Sequence, residues 1–198
     1  MKLPLRVALI VIGLAAAGVA AYTGGLLLAP DKEAAGTLLT NPIDVGDLTL
    51  RAPGNRQVSL GDFDDTVTAV FFGYTRCPDV CPITMARLAD AYRELGEPTD
   101  RLNVLMVTID PGHDTPELTD EYARNFHEDF EGASGSNEEI ADAAAAFYVG
   151  YNDTATEVVH TDAVMLVDRS GKFRMLYTTD RLQYFTSDLQ DILASSDW

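Results

Sequence analysis

The stretch GYTRCPDVCP, residues 73–82, contains both cysteines of the chain, Cys77 and Cys81, and each is followed by a proline. Two thiols this close together indicate chemistry on sulfur, either capture of a soft metal ion or reversible disulfide formation. A β-rich apolar run, residues 67–72, precedes the stretch, and an amphipathic helical pattern, residues 83–95, follows it. The sequence therefore predicts a reactive loop between a buried strand and a helix.

The two prolines determine how this loop is expected to meet the helix. A residue that precedes proline is disfavoured in a helix interior, so we predict that Pro82 is the first helical residue and Cys81 its N-cap. The partial positive charge of the helix N-terminus would then stabilise the Cys81 thiolate and lower its pKa. Three residues separate the cysteines, one more than in the usual redox motif, which favours binding of an ion. A disulfide and simple burial of both thiols are the alternatives.

The first thirty residues predict how the chain relates to a membrane. No charged residue occurs between Val7 and Ala29, a length that covers about 34 Å as a helix and is enough to cross a bilayer. Lys2 and Arg6 precede this run, so residues from 31 onward are expected outside the cytoplasm. We predict that residues 1–30 form an uncleaved transmembrane anchor. A cleaved secretory signal is the alternative.

The rest of the chain is predicted to be a linker, residues 31–42, and one domain, residues 43–198, which is long enough to bury a substantial core. From Asp31 onward the chain has 12 basic and 31 acidic residues, a net charge of −19. Such a surface would repel phosphate, so we expect no binding of nucleic acid.

Strands and helices alternate along this domain, and an antiparallel pair comes near its end. This order predicts an α/β domain with a mixed sheet and helices on both faces, which we interpret as a thioredoxin-like fold. The helix after the cysteines is expected to bury Ile83, Leu88 and Tyr92. The predicted elements are an edge strand or hairpin within 43–60, strands at 67–72 and 102–109, helices at 83–95 and 181–194, a helix that begins at Thr115-Pro116, a helix that begins at the capping box of Ser136 and Glu139, and a hairpin at 160–177.

The cysteine stretch resembles the signature of the Sco/SenC family of copper chaperones. The resemblance continues in TIDPGHDTPE, residues 108–117, which is similar to the family's Asp-Pro-x-Arg-Asp-Thr-Pro motif. It resumes at His160-Thr161, residues 164–168 and Gly171. Two positions depart from the family pattern: His113 stands where members usually have arginine, and Val159 precedes His160 where members often have aspartate.

The resemblance implies a membrane-anchored, thioredoxin-like domain that binds copper, as Cu(I) or Cu(II), through Cys77, Cys81 and His160. Soft sulfur ligands favour Cu(I), and the imidazole extends tolerance toward Cu(II). The family serves assembly of the dinuclear copper site in cytochrome c oxidase subunit II, so this subunit and a further copper chaperone are the expected partners. The domain is then expected on the periplasmic side of the cell membrane, held there by a single span.

The sequence is compatible with two functions. The first is a metallochaperone, which passes copper to a partner by ligand exchange. The second is a thiol–disulfide oxidoreductase, in which Cys77 and Cys81 form the redox-active catalytic pair. A peroxidase of the peroxiredoxin type is weaker, because Phe71 occupies the position where that motif has a proline. His113 and His127 are expected at the surface near helix ends.

Overall fold

A mixed six-stranded sheet forms the centre of this protein. The structure is a computed structural model that describes residues 34–63, 65–96, 101–154, 157–160 and 162–198. For residues 151–154 and 157–160 the description covers the backbone. The strands of the described part are Thr37–Asp44 (β1), Thr49–Ala52 (β2), Arg56–Ser59 (β3), Val67–Gly73 (β4), Leu102–Thr108 (β5), Glu131–Ala133 (β6), Tyr151–Thr154 (β7), Glu157–His160 (β8), Ala163–Val167 (β9) and Lys172–Thr178 (β10). The α-helices are Val80–Leu95 (α1), Pro116–Arg124 (α2), Asn137–Ala146 (α3) and Phe185–Ala194 (α4).

The six strands follow the order β1-β10-β9-β4-β5-β6. Strand β4 is buried along its whole length and pairs in parallel with β5 and antiparallel with β9. Such a strand has a continuous apolar sequence, because the side chains on both of its faces are buried. Gly73 at the end of β4 lies opposite Thr108 at the end of β5, so the loops that follow these two strands leave the same edge of the sheet.

Each face of the sheet has its own hydrophobic core. Consecutive side chains of a strand point to opposite faces, and accordingly Phe71 and Phe72 belong to different clusters. The Phe71 cluster is covered by α1, α2 and α4, and the Phe72 cluster by α3 and the β2–β3 hairpin. The predicted mixed sheet with helices on both faces is thereby confirmed.

Two helix starts agree with the sequence analysis. The Thr115 hydroxyl accepts a hydrogen bond from the Leu118 amide, at 3.3 Å, and Pro116 occupies the first position of α2. At α3 the Ser136 hydroxyl accepts from the Glu139 amide at 3.1 Å, and the Glu139 carboxylate accepts from the Ser136 amide at 2.7 Å. Both helices therefore satisfy amides of their first turn with their own side chains, as the capping rules predict.

Several boundaries differ from the predictions, for reasons that lie in tertiary pairing. Part of the segment predicted as a linker forms β1, which pairs antiparallel with β10. Strand β9 begins at Ala163, and His160 instead ends β8 in a separate two-stranded sheet. The short strand β6 was not predicted. Ile83 is 46% exposed rather than buried, because it lies on the side of α1 opposite the buried face that Cys81, Met85 and Leu88 share.

The predicted anchor, residues 1–30, lies outside the described residues. Among the residues that are described, no helix combines the length and apolar character needed to cross a bilayer.

Candidate metal centre

The two cysteines lie side by side where β4 gives way to α1. The amide of Cys81 donates a hydrogen bond to the Sγ atom of Cys77 at 3.4 Å, and no disulfide joins the two residues. The amide of Cys77 in turn donates to the carbonyl of Tyr74 at 3.2 Å, which closes the turn. The structure thus brings together the two sulfurs that the sequence analysis singled out.

The start of α1 differs from the prediction. Asp79, not Cys81, is the N-cap, so Cys81 and Pro82 both lie within the first helical turn. Proline is tolerated there, because the amide it lacks would have no partner inside the helix. The Cys81 amide is consequently one of the unpaired amides of a helix N-terminus, and the sulfur of Cys77 satisfies it.

The predicted lowering of the Cys81 pKa is wrong. Burial raises the pKa of the Cys81 thiol far above its ordinary value, and the hydrogen bond with Cys77 raises it further. The backbone amide of Tyr74 acts in the opposite direction without outweighing burial. Since Cys81 is 0% exposed and Cys77 9% exposed, the favourable field of the helix N-terminus is smaller than the cost of placing an anionic sulfur in the core. Cys81 is therefore a neutral thiol at pH 7.

Gly73 allows the sulfur of Cys81 to approach the backbone of β4. A Cβ atom at position 73 would lie 3.1 Å from the Sγ atom of Cys81 and 2.8 Å from the ring of Phe71. The second distance is too short for any side chain, so an alanine would force one of the two neighbours to move. The first residue of the GYTRCPDVCP stretch is thus needed for packing at the site.

The cysteine loop is fastened to the loop after β5 by a buried carboxylate. Asp114 is fully buried and accepts hydrogen bonds from the amide of Thr75 at 2.9 Å and from its hydroxyl at 2.6 Å. The hydroxyl of Thr108 also donates to Asp114, at 2.8 Å. Burial alone would raise the pKa of Asp114, but these bonds and that of His113 outweigh it, and the pKa is lowered.

A second link lies at the surface of the same two loops. Arg76 forms an ion pair with Asp110 at 2.5 Å, and the amide of Asp110 donates to the hydroxyl of Thr108 at 3.0 Å. His113, which replaces the usual arginine of the family motif, keeps a contact with Asp114, with 2.9 Å between Nδ1 and Oδ1. His113 therefore supplies a polar contact within the loop after β5.

The ligand atoms of Asp110, His113 and Asp114 lie within 4.8 Å of one another, a spacing that could suit a cation. Both carboxylates are already engaged, Asp114 by Thr75 and Thr108 and Asp110 by Arg76. We therefore interpret these three residues as the contacts that hold the cysteine loop against the loop after β5. No role was predicted for Asp114, although both sequence motifs, residues 73–82 and 108–117, contribute residues to this contact.

Two of the predicted residues remain, His160 and His127. His160 ends β8, where its backbone pairs with Tyr151, and its side chain lies outside the described part of the structure. His127 packs against the rings of Tyr92 and Phe130, with ring centroids 4.6 and 5.4 Å away, so it belongs to the edge of the core. Asp162, two residues after His160, reaches α1 by accepting a hydrogen bond from the Thr84 hydroxyl at 3.4 Å.

A mixed sheet with helices on both faces and a cysteine pair at a strand-to-helix junction defines a thioredoxin-like dithiol protein. The sequence profile of the family SCO1/SenC matches residues 43–193, and the chain belongs to this family. The resemblance found in the sequence is thereby confirmed.

Two relatives illustrate the extent of the likeness. The mitochondrial SCO2 homolog of Homo sapiens is 30% identical over 200 residues, which cover 93% of this chain and 74% of that protein. A SCO2-like protein of Rickettsia typhi is 31% identical over 114 residues, or 54% of this chain. The match spans only 56% of the length of the Rickettsia protein.

Solved structures confirm the thioredoxin-like Sco fold. The apo Sco1 protein of Thermus thermophilus is 37% identical with a TM-score of 0.74, and the match covers 83% of this chain and 99% of that one. ScoI of Arabidopsis thaliana, solved with copper bound, is 26% identical with a TM-score of 0.67, covering 76% of this chain and 95% of that one. Copper, the metal expected from the sequence, is thus bound by a solved member of the family.

The contact between Gly73 and Cys81 predicts a large effect of a single methyl group. Gly73→Ala should lower the free energy of unfolding by about 1–3 kcal/mol, because Phe71 or Cys81 must shift to make room. Urea denaturation of the reduced protein measures this change. Gly112→Ala is the matched control, since a Cβ atom there meets nothing within 4 Å. Equal stability of the two variants would contradict the described packing.

The buried carboxylate predicts a specific dependence on pH. Asp114→Asn should lower the free energy of unfolding at pH 7 by about 1–3 kcal/mol, because an amide nitrogen cannot accept from Thr75 or Thr108. The pKa of Asp114 is lowered in the folded state, so its carboxylate stabilises the protein above its unfolded pKa of about 3.9, and this contribution disappears as the pH falls through the folded value.

Denaturation curves recorded from pH 7 down to pH 3 test this expectation. As the pH falls through the acidic part of the range, the wild type should lose more stability than Asp114→Asn. The difference in free energy of unfolding between the two proteins should therefore become smaller. Asp142→Asn, a change at an exposed position of α3, should stay within about 0.5 kcal/mol of the wild type at pH 7. If the difference in free energy of unfolding between the wild type and Asp114→Asn stays constant with pH, the pKa of Asp114 is not lowered in the folded state.

Proposed function

We propose that this protein is an extracytoplasmic copper chaperone that binds copper through Cys77, Cys81 and His160 and serves assembly of the dinuclear copper site of cytochrome c oxidase. The observation that carries the proposal is the pairing of two buried sulfurs, with Sγ of Cys77 3.4 Å from the Cys81 amide, in a member of the SCO1/SenC family. A relative of this family has been solved with copper bound, which supports copper as the cargo.

The chemistry of the two thiols favours a soft cation. Burial raises the pKa of Cys81, so its proton leaves only when a cation takes its place, and binding releases protons. Thiolate sulfur binds Cu(I) strongly, whereas a hard cation gains too little from sulfur to offset the removal of the proton. A structural zinc site would need four protein ligands, and the proposal supplies three.

The path of the chain supports His160 as the third ligand. Strand β9 is antiparallel to β4, with Val164 opposite Phe71, so the segment before β9 arrives at the edge where the cysteine loop begins. Asp162 is bonded to Thr84 in the second turn of α1. His160 is two residues from Asp162, so their Cα atoms are at most about 7 Å apart. This short separation along the chain from a residue bonded to α1 supports the histidine as the third ligand.

A thiol–disulfide oxidoreductase is the second candidate, and the adjacency of the two cysteines on a thioredoxin-like fold favours it. In this reaction Cys77, the more exposed thiol, would attack a disulfide of the partner, and Cys81 would then displace the partner's remaining thiolate. BsSco, which shares the fold at 22% identity, is described as a member of the Sco family of cytochrome c oxidase assembly proteins with a disulfide switch. The raised pKa of Cys81 makes it a weak nucleophile and favours the chaperone.

Copper titration of the reduced protein tests the proposal. The wild type should bind about one copper ion per chain, and Cys77→Ser and Cys81→Ser should each lose about 100-fold or more in affinity, since each variant lacks a ligand. His160→Ala should weaken Cu(II) binding more than Cu(I) binding, because the imidazole is the ligand that suits Cu(II). Competition with a chelator of known affinity, under anaerobic conditions for Cu(I), measures both.

His127→Ala is the matched control for the histidine, because this ring packs on Tyr92 and Phe130 rather than near the sulfurs. Retained Cu(II) affinity in His160→Ala would exclude the histidine as a ligand. Disulfide exchange with a model dithiol separates the two candidates, because an oxidoreductase would keep its exchange rate in His160→Ala while a chaperone would lose copper.

We also propose that residues 1–30 anchor the domain in the cell membrane as a single span, with the domain on the periplasmic side. The uncharged run from Val7 to Ala29 behind Lys2 and Arg6 supports this arrangement. Relatives of the chain include mitochondrial proteins and a lipoprotein of Bacillus anthracis. The partner in this location is subunit II of cytochrome c oxidase, with a further copper chaperone as a donor.

Membrane fractionation tests the anchor. The full-length chain should stay in the membrane pellet after carbonate washing, and a chain that starts at residue 31 behind a cleavable secretion signal should be released as soluble protein. The mass of the mature full-length protein distinguishes an anchor from a cleaved signal. A full-length chain recovered in the soluble fraction, or shortened by about 20–30 residues, would overturn the anchor.

A further inference from the structure

Thr84 is a fully buried polar residue on the face of α1 that also carries Cys81. The two residues are three positions apart, so their side chains are neighbours on the helix surface, with about 5–6 Å between Cβ atoms. A buried hydroxyl needs a hydrogen-bond partner, because an unpaired one destabilises the fold. The Thr84 hydroxyl donates to the Oδ1 atom of Asp162 at 3.4 Å, across 78 positions of the chain.

Asp162 links this helix to the segment that carries the proposed histidine ligand. It is half-buried and lies two residues after His160, which ends β8. The next residue, Ala163, begins β9 and pairs with Thr178 of β10. The bond from Thr84 therefore joins the start of β9 to α1, one helical turn from Cys81.

A metal-binding histidine depends on surrounding residues that fix its position and orientation. Val159, which precedes His160, has no polar group in its side chain to contribute. Asp162 has a carboxylate, and its bond to Thr84 restricts the chain close to the histidine. This contact is long-range, so it exists only in the folded domain.

We propose that Thr84 is a positioning residue of the metal centre, which holds His160 within reach of the two sulfurs by binding Asp162. This inference rests on the proposed function and adds a residue to it. Without the bond, His160 would sample more positions, and more entropy would be lost when its imidazole binds copper. The two cysteines lie on other segments, so the loss should fall on the contribution of the imidazole.

Thr84→Val tests the role of the hydroxyl, because the two side chains have nearly the same shape. Its affinity for Cu(II), the oxidation state that the imidazole suits, should fall by about tenfold, as is common when a residue that orients a metal ligand is changed. The EPR hyperfine splitting from the imidazole nitrogen should weaken as well. Thr84→Ser keeps the hydroxyl and should restore most of the affinity. Competition with a chelator of known affinity measures all three proteins.

A double-mutant cycle identifies the residue through which Thr84 acts. If Thr84 positions His160, the double variant with Thr84→Val and His160→Ala should bind Cu(II) as tightly as His160→Ala alone. Asp162→Ala removes the same hydrogen bond from the half-buried side and provides the test if Thr84→Val does not fold. It should lose at least as much Cu(II) affinity as expected for Thr84→Val, and again nothing further in the His160→Ala background.

Thr119→Val is the matched control. Thr119 is also fully buried in a helix, but its hydroxyl donates to the carbonyl of Thr115 at the start of α2, at 3.0 Å. Its removal should leave the Cu(II) affinity and the nitrogen splitting unchanged.

The outcomes distinguish this inference from the proposed function. If His160→Ala weakens Cu(II) binding but Thr84→Val and Asp162→Ala do not, the inference falls and the function stands. The same holds if Thr84→Val costs as much in the His160→Ala background as in the wild type, because it then acts on the sulfurs by packing. If His160→Ala binds Cu(II) as tightly as the wild type, the histidine of the proposed function is wrong and the inference falls with it.

Discussion

The two hydrogen bonds from Thr75 to Asp114 are the constraint on which the rest of the site depends. A carboxylate with no exposed surface would be costly, and the amide and hydroxyl of Thr75 together with the hydroxyl of Thr108 offset that cost. Because Thr108 ends β5 and Thr75 begins the cysteine loop, the same bonds fix the loop to the sheet. The two sulfurs are consequently held in place by the fold before any metal arrives.

Under the proposed function, burial of Cys81 would give the site a preference for soft cations. A helix N-terminus at the surface would stabilise a thiolate and make it reactive toward many partners, whereas the same helix start under β4 leaves Cys81 protonated. The proton must then be displaced by something that binds sulfur more strongly than it does. A soft cation meets this condition, so the apolar surroundings that weaken Cys81 as a nucleophile also limit the ions that can bind there.

The parts of the fold that were predictable are those specified by neighbouring residues. The caps at Thr115 and Ser136 and the strand-loop-helix order around the cysteines follow from local rules, and the structure confirms them. The role of Asp114 depends on its bonds with Thr75, 39 residues away, and the raised pKa of Cys81 depends on burial in the assembled core. No local pattern contains either. Strand β6 is three residues long and exists only because β5 supplies its partner, so its sequence carried no periodic signal.

The unequal burial of the two sulfurs gives the proposed copper transfer a direction. Cys77 retains a little exposure beside the exposed residues Arg76 and Pro78, whereas Cys81 has none. Under the proposed function, an incoming ligand from the acceptor would approach the cation from the side of Cys77, and the more deeply buried Cys81 would be released after it. Once the cation had left, a thiolate in this apolar site would be unstable, and Cys81 would take up a proton. Such protonation would oppose rebinding, so burial of one sulfur would favour delivery over retention.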